Sequence, residues 1–164
     1  IDNERLLAPP EDLEKLAGRH TLAIATGRPR AEAAHPLERF GIRSFFTAVI
    51  TLDDCLAEER RRAAVGERVS LSKPHPWMLD EIAARFTTEI SNRFYVGDMP
   101  DDMLAAARSQ AGYRGIGCVI AAPDREILGE ELRRAGAWKV IDDPAELRAL
   151  AARPTGTVSR RKRQ

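Results

Sequence analysis

Two aspartates that follow a short apolar stretch have the residue types and spacing best suited to chemistry in this chain. The run Phe94–Gly97 predicts a buried strand, Asp98 ends it, and Asp102 comes four residues later, at the start of an alanine-rich helical pattern. Ligands bind beyond the carboxyl ends of strands in an open parallel sheet, so both carboxylates are expected in one crevice. Neighbouring carboxylates repel unless a cation separates them, and Mg²⁺ is commonly held by one or two carboxylates with water and phosphate. The competing interpretation is an aspartate cap beside a solvated acidic turn.

Two further sets of polar residues suit a phosphoryl group. Thr26, Gly27 and Arg28 form a polar turn directly after the apolar run 21–25, and Lys73 lies between that turn and the aspartates in chain order. A hydroxyl, turn amides and cationic side chains match the oxygens and the charge of a phosphoryl group. Taken singly, Thr26 also fits a helix cap, and Lys73 also fits a solvated surface lysine.

Short apolar runs alternate with amphipathic helical patterns along the whole chain. Predicted strands cover 21–25, 45–51, 94–97, 115–121 and 138–141. Predicted helices cover 11–18, the stretch between Pro29 and Gly41, 78–86, the stretch after Asp102, 124–135 and 144–152. This alternation predicts an α/β fold: a doubly wound, Rossmann-like parallel sheet with helices on both faces.

The chain divides into one core and a tail. Residues 1–153 are predicted to form the core, within which the charged, unpatterned segment 55–70 is interpreted as a surface insertion. Residues 154–164 have no apolar periodicity and are predicted to be a basic, disordered tail.

Composition excludes several classes of protein. A hydrophobic content of 43% with 31% charged residues is ordinary for a globular domain, and no apolar run is long enough to span a membrane. Cys55 and Cys118 are far apart without metal-like spacing, which favours a reducing, cytoplasmic setting. The formal net charge of +1 would be −3 without the tail residues 160–163, which argues against a nucleic-acid-binding surface on the core.

The order of the polar motifs resembles that of the haloacid dehalogenase-like (HAD) superfamily, in particular its phosphoglycolate-phosphatase-like members. The matching motifs are Ala25-Thr26-Gly27-Arg28, Ser72-Lys73-Pro74 and Val96-Gly97-Asp98-Met99-Pro100-Asp101-Asp102, and the resemblance runs from about Leu7 to Gly117.

The resemblance implies a role for each of these residues. Thr26 binds the transferred phosphoryl group, with Gly27 and Arg28 beside it, and Lys73 neutralises the charge of that group, which makes Thr26 and Lys73 the catalytic candidates. Asp98 and Asp102 hold or orient Mg²⁺. The implied partner is a small phosphorylated substrate, hydrolysed as a phosphate monoester.

One part of the family pattern is absent. The family attacks phosphate with the first aspartate of an Asp-x-Asp motif on its first strand, and no Asp-x-Asp occurs in this sequence. The helical cap that usually follows that motif is absent as well. We therefore expect a magnesium-dependent phosphohydrolase without its nucleophile in this chain, so that this chain alone is inactive. The alternative is a catalytically dead phosphate-binding, magnesium-binding or protein-interaction module. A phospho-receiver domain also clusters Asp, Thr and Lys, but its acidic pair comes first in the chain, whereas here Thr26 does.

The missing strand also has a structural consequence. In the family it lies between the strand that precedes Thr26 and the strand that precedes Asp98, so without it both strands have unpaired edges. The prediction is that this chain alone is poorly stable, is rearranged so that those two strands pair, or is completed by a second copy or by a missing N-terminal segment.

Overall fold

A computed structural model describes residues 4–86 and 92–151 and shows the predicted α/β fold, with parallel strands flanked by helices. The strands are β1 Leu22–Ala25, β2 Phe46–Ile50, β3 Arg93–Gly97, β4 Tyr113–Cys118 and β5 Lys139–Ile141. The helices are α1 Pro10–Ala17, α2 Arg30–Arg39, α3 Leu52–Ala63, α4 Trp77–Ala84, α5 Pro100–Arg108, α6 Arg125–Arg134 and α7 Pro144–Ala151, with a 3₁₀ turn at Arg43–Phe45.

Local capping explains where several helices begin. The Asp124 side chain accepts hydrogen bonds from the backbone N–H groups of Glu126 (3.1 Å) and Ile127 (2.9 Å), so it caps α6 as its position predicts. At α3, the Asp54 carboxylate accepts from both the N–H and the hydroxyl of Thr51, at 2.8 Å each. The bonds from backbone N–H groups satisfy donors that a helix start leaves unpaired.

The strands form two separate parallel ladders. β1 pairs with β2, and β3, β4 and β5 pair in that order. Among the described residues, no ladder joins β1 to β3, so the alternative in which these two strands pair directly is not what the structure shows. The position that the family's first strand would take, between β1 and β3, therefore has an unpaired edge on each side within the part of the chain that the structure describes.

A shared core holds the two ladders together. One buried cluster combines Ala25 and Ile50 from the first ladder with Met78 and Leu79 of α4 and Ala105 of α5. Because α5 also packs on β3 and β4, apolar contacts rather than strand pairing unite the two halves of the sheet.

The segment 55–70 is more regular than its charge pattern indicated. Its first residues belong to α3, and Cys55 has no exposed surface. Burial, and then the nearby Glu59 and Asp54 carboxylates, raise the pKa of the Cys55 thiol to about 11, so it is neutral and inert at ordinary pH. Glu59 also accepts the backbone N–H of Leu71 at 2.6 Å, which fastens α3 to the chain that leads to α4.

The basic tail and the lack of a membrane span were also predicted from the sequence. The predicted basic tail, 154–164, lies outside the described residues. Across the described ranges, none of the helices is both long enough and apolar enough to cross a membrane.

Two apolar side chains of β3 are partly exposed. Phe94 and Val96 alternate with Tyr95 along this strand and are 37% and 41% exposed. The Phe94 ring lies 5.7 Å from the ring of Trp138, and the Arg114 guanidinium lies 5.3 Å from that same Trp138 ring. One face of β3 is thus partly uncovered.

An ion pair between a buried carboxylate and a half-exposed guanidinium connects α1 and α7. Asp12 of α1 is 5% exposed and accepts a hydrogen bond from Arg148 of α7 at 2.5 Å. We expect Asp12→Asn to lower the free energy of unfolding by about 1 kcal/mol, because Arg148 is half exposed and water replaces part of the lost interaction. Thermal unfolding measures this loss as a fall in Tm of about 2–4 °C. The exposed Glu14→Gln on the same helix serves as the control, and an equal fall in that variant would contradict the role of the pair.

Candidate functional site

The centre of the site is a buried ion pair between Lys73 and Asp102. Lys73 lies in the loop that precedes α4, and Asp102 lies in the first turn of α5. The Lys73 Nζ is 2.5 Å from Asp102 Oδ1, and the two side chains are 19% and 4% exposed. A carboxylate this deeply buried requires a charged partner, and Lys73 supplies it.

Gly97 and Met99 explain how Asp102 reaches this position. A Cβ atom on Gly97 would lie 2.5 Å from the Asp102 Cβ and Cγ atoms, so only glycine leaves room for the carboxylate. The backbone N–H of Met99 donates to Asp102 Oδ2 at 3.1 Å, so this side chain also closes the first turn of α5. Glycine at position 97 thus has a steric cause, because it leaves space for the Asp102 side chain.

Tyr95 belongs to the same network, although no sequence pattern singles it out. Its hydroxyl oxygen lies 2.9 Å from Lys73 Nζ, 3.0 Å from Asp102 Oδ1 and 3.0 Å from the backbone oxygen of Ala25 in β1. Burial, and then the neighbouring Asp102 carboxylate, raise the pKa of Tyr95 well above its ordinary value, so the hydroxyl keeps its proton. Tyr95 is therefore a hydrogen-bond donor that spans from β3 to β1.

The Thr26–Arg28 turn lies at the carboxyl end of β1, as predicted. The Thr26 N–H continues the ladder by donating to Ile50 O at 2.9 Å, and the Thr26 hydroxyl accepts the N–H of Arg28 at 3.2 Å. Gly27 is exposed, and a Cβ there would meet nothing within 4 Å. The Arg28 guanidinium is engaged outside the crevice, because it forms an ion pair with Glu4.

Two aspartates of α3 hold the start of α2 against this turn. Asp53 Oδ2 accepts the backbone N–H of Arg30 at 2.6 Å, and Asp54 Oδ1 accepts from the Arg30 side chain at 2.7 Å. Burial raises the pKa of Asp54, but hydrogen bonds from Thr51 and the charge of Arg30 outweigh it, so the pKa lies below its ordinary value. These acidic residues, to which the sequence assigned no role, position the phosphate-binding candidates.

Asp98 differs from Asp102 in its surroundings. It is exposed at the end of β3, whereas both oxygens of Asp102 already accept hydrogen bonds. Within the ranges that the structure describes, no group of three or more histidine, cysteine, aspartate or glutamate side chains is placed to hold a metal ion. Of these two carboxylates, Asp98 is therefore the accessible one that would hold Mg²⁺, and the remaining ligands would have to come from water, from substrate or from another segment.

The structure thus brings together some of the predicted residues and separates others. Lys73 and Asp102 are in direct contact, and Tyr95 connects them to Ala25, the neighbour of Thr26. The Arg28 side chain and Asp98 lie at the exposed margin of this group.

A sequence model of the haloacid dehalogenase-like hydrolases matches residues 11–110, which is more than half of the chain. The chain belongs to this family. The match begins in α1 and ends after α5, so it covers all the motifs on which the resemblance rests. No curated protein matches the chain.

Solved structures of HAD proteins share the fold. A protein provisionally called a β-phosphoglucomutase, from Thermotoga maritima, is 25% identical with a TM-score of 0.64, over 85% of this chain and 56% of that one. A predicted phosphoglycolate phosphatase from Haemophilus somnus is 22% identical, with a TM-score of 0.61 over 85% and 54%. A HAD hydrolase of provisional assignment from Bacillus subtilis, crystallised with magnesium, is 15% identical, with a TM-score of 0.62 over 87% and 54%. The chain therefore spans little more than half the length of these proteins.

The steric account of Gly97 is testable by substitution. We expect Gly97→Ala to push the Asp102 carboxylate away from Lys73 and to lower the free energy of unfolding by about 1–3 kcal/mol, because the added methyl group overlaps atoms of Asp102. Gly27→Ala is the matched control, since a Cβ at Gly27 meets open space, and its effect should stay within about 0.5 kcal/mol. Chemical denaturation measures both. Equal destabilisation by the two variants would show that Gly97 is not needed for the placement of Asp102.

Proposed function

We propose that this chain carries the phosphate-binding and metal-binding half of a magnesium-dependent HAD phosphomonoesterase, and that the aspartate nucleophile lies on a strand seated between β1 and β3. The observation that carries this proposal is the Lys73–Tyr95–Asp102 network, which lies at the carboxyl end of β3 and contacts the unpaired edge of β1. A nucleophile on a strand in that position would reach the carboxyl edge of the sheet between Thr26 and Lys73.

The side chains of this chain have separable roles in the proposed reaction. Lys73 neutralises the phosphoryl oxygens, and Asp102 holds the Lys73 ammonium in place through their 2.5 Å contact. Thr26 and the Gly27 amide contribute hydrogen bonds to the same group. Arg28 joins them when its side chain exchanges the Glu4 carboxylate for a phosphoryl oxygen, since both are anionic oxygen acceptors.

The proposed cofactor is Mg²⁺, held by Asp98 directly and by Asp102 through its orientation of the site. When bound, the ion would supply positive charge to the phosphoryl oxygens. Asp98 is the accessible carboxylate at the end of β3, and its oxygens face water, which is the other ligand that Mg²⁺ prefers.

The proposed substrate is a small phosphorylated metabolite, hydrolysed through an aspartyl-phosphate on the strand between β1 and β3. Two of the structural neighbours carry names from phosphoryl chemistry, one as a phosphoglycolate phosphatase and one as a phosphoglucomutase. The phosphoglycolate-phosphatase-like subgroup is our assignment by this analogy. Substrate choice in such enzymes lies largely in the cap, so the residues described here define the phosphate end of the substrate only. We also propose a cytoplasmic location for the protein, because Cys55 and Cys118 favour a reducing setting.

A second candidate is a binding module that has lost catalysis. It would keep the phosphate and metal ligands without hydrolysis, since these ligands alone perform none by the family mechanism. The two candidates differ in the longest protein that includes this sequence, where an enzyme turns over phosphate esters with Mg²⁺ and a binding module does not.

The isolated chain gives the first test of the proposed site. We expect it to bind Mg²⁺ without hydrolysing p-nitrophenyl phosphate, because it has metal ligands and no nucleophile. Asp98→Asn should weaken Mg²⁺ binding at least about tenfold in isothermal titration calorimetry, since a charged oxygen ligand is replaced by an amide.

The neighbouring Asp101→Asn provides a control of equal charge change, because Asp101 is also exposed and lies in the same segment. Equal losses of Mg²⁺ affinity in the two variants would mean that the removal of a negative charge, and not the loss of a metal ligand, weakens binding. Turnover by the isolated chain that disappears in Asp98→Asn would reveal a nucleophile within these residues and would refute the proposed division of the site.

A further inference from the structure

The peptide group between Ala25 and Thr26 directs its N–H and its carbonyl oxygen to opposite sides of β1. Its N–H, on Thr26, donates to Ile50 O of β2 at 2.9 Å. In a planar trans peptide the carbonyl points opposite to the N–H, so the Ala25 oxygen faces away from β2, toward the unpaired edge. There it meets the Tyr95 hydroxyl at 3.0 Å. A side chain of β3 therefore occupies the hydrogen-bonding site that a neighbouring strand would use.

The Tyr95 hydroxyl has more acceptors than protons. Lys73 donates to its oxygen, and its own single proton faces two acceptors at the same 3.0 Å distance, Ala25 O and Asp102 Oδ1. Only one of them can receive the proton at a time. The hydroxyl therefore has two alternative states, one directed to the sheet edge and one directed to the buried ion pair.

We propose that Tyr95 is a positioning residue that couples the unpaired edge of β1 to the Lys73–Asp102 pair. When the edge is open, Ala25 O competes with Asp102 for the Tyr95 proton. When a strand pairs with β1, a backbone N–H of that strand satisfies Ala25 O, and the Tyr95 proton turns to Asp102. Asp102 Oδ1 then gains a second donor beside Lys73 when the sheet is completed.

The coupling has a consequence for the reaction. A strand that brings the nucleophile to the crevice would also complete the hydrogen bonds of Asp102, which fixes the position of Lys73. This catalytic consequence rests on the proposed function, whereas the competition for the proton is a property of the isolated chain. A measurement of the competition alone can therefore fail while the proposed function stands. The proposed function can likewise fail while the competition is confirmed.

The Ala25 carbonyl reports the competition directly. We would label the chain with ¹³C at alanine carbonyl positions and follow the Ala25 resonance, which moves downfield when its oxygen accepts a stronger hydrogen bond. Tyr95→Phe removes the donor and should move the resonance upfield. Lys73→Met leaves Asp102 without its ammonium partner, draws the Tyr95 proton to Asp102 and should also move it upfield. Asp102→Asn weakens the rival acceptor and should move it downfield.

Tyr113→Phe is the matched control, because Tyr113 packs against the same core cluster as Tyr95 and should leave the Ala25 resonance unchanged. Opposite shifts in Asp102→Asn and Tyr95→Phe are the result that supports the coupling. An Ala25 resonance that is unmoved in Asp102→Asn, or that moves upfield there, would overturn the coupling. In that case Asp102 would not compete with Ala25 O for the Tyr95 proton. Should one variant fail to fold, an Ala25 resonance that stays in place in either Tyr95→Phe or Lys73→Met would overturn it equally.

Discussion

The buried carboxylate of Asp102 is the constraint on which this site depends. Transfer of a carboxylate from water into a protein interior costs several kcal/mol unless other groups compensate its charge. Lys73 provides the compensation, Met99 and Tyr95 provide hydrogen bonds, and Gly97 provides the space. These residues come from a loop, a strand and a helix start, so one buried charge determines how three elements meet at the carboxyl edge of the sheet.

The same network also connects the two ladders of the sheet. β1 and β3 are in different ladders, and the side chain of Tyr95 supplies the hydrogen bond between them that the structure records. The apolar cluster under both ladders supplies the remaining cohesion through α4 and α5. The core cluster therefore forms without a strand between β1 and β3.

Some of these features follow from sequence and others do not. The apolar run before Asp98 and the helical pattern after it predict β3 and α5 because period and length agree there. Helix α3 was not predicted. Its residues are charged on most sides and few of them face the core, so they show no apolar periodicity. Tyr95 was not predicted because a tyrosine inside a strand has the pattern of an ordinary core residue, and only the approach of β1 makes its hydroxyl significant. The open position between β1 and β3 was predicted from the resemblance to a family, since no local pattern indicates which strands are neighbours.

Hydrogen exchange along β1 is the most direct measurement of the open position. Thr26 N–H faces β2, and alternation along the strand turns Ile24 N–H the same way and the N–H groups of Ala23 and Ala25 toward the gap. We predict slow exchange at Ile24 and Thr26 and fast exchange at Ala23 and Ala25 in the isolated chain. Equal protection at all four amides would contradict the account, because it would mean that another strand already pairs with this edge.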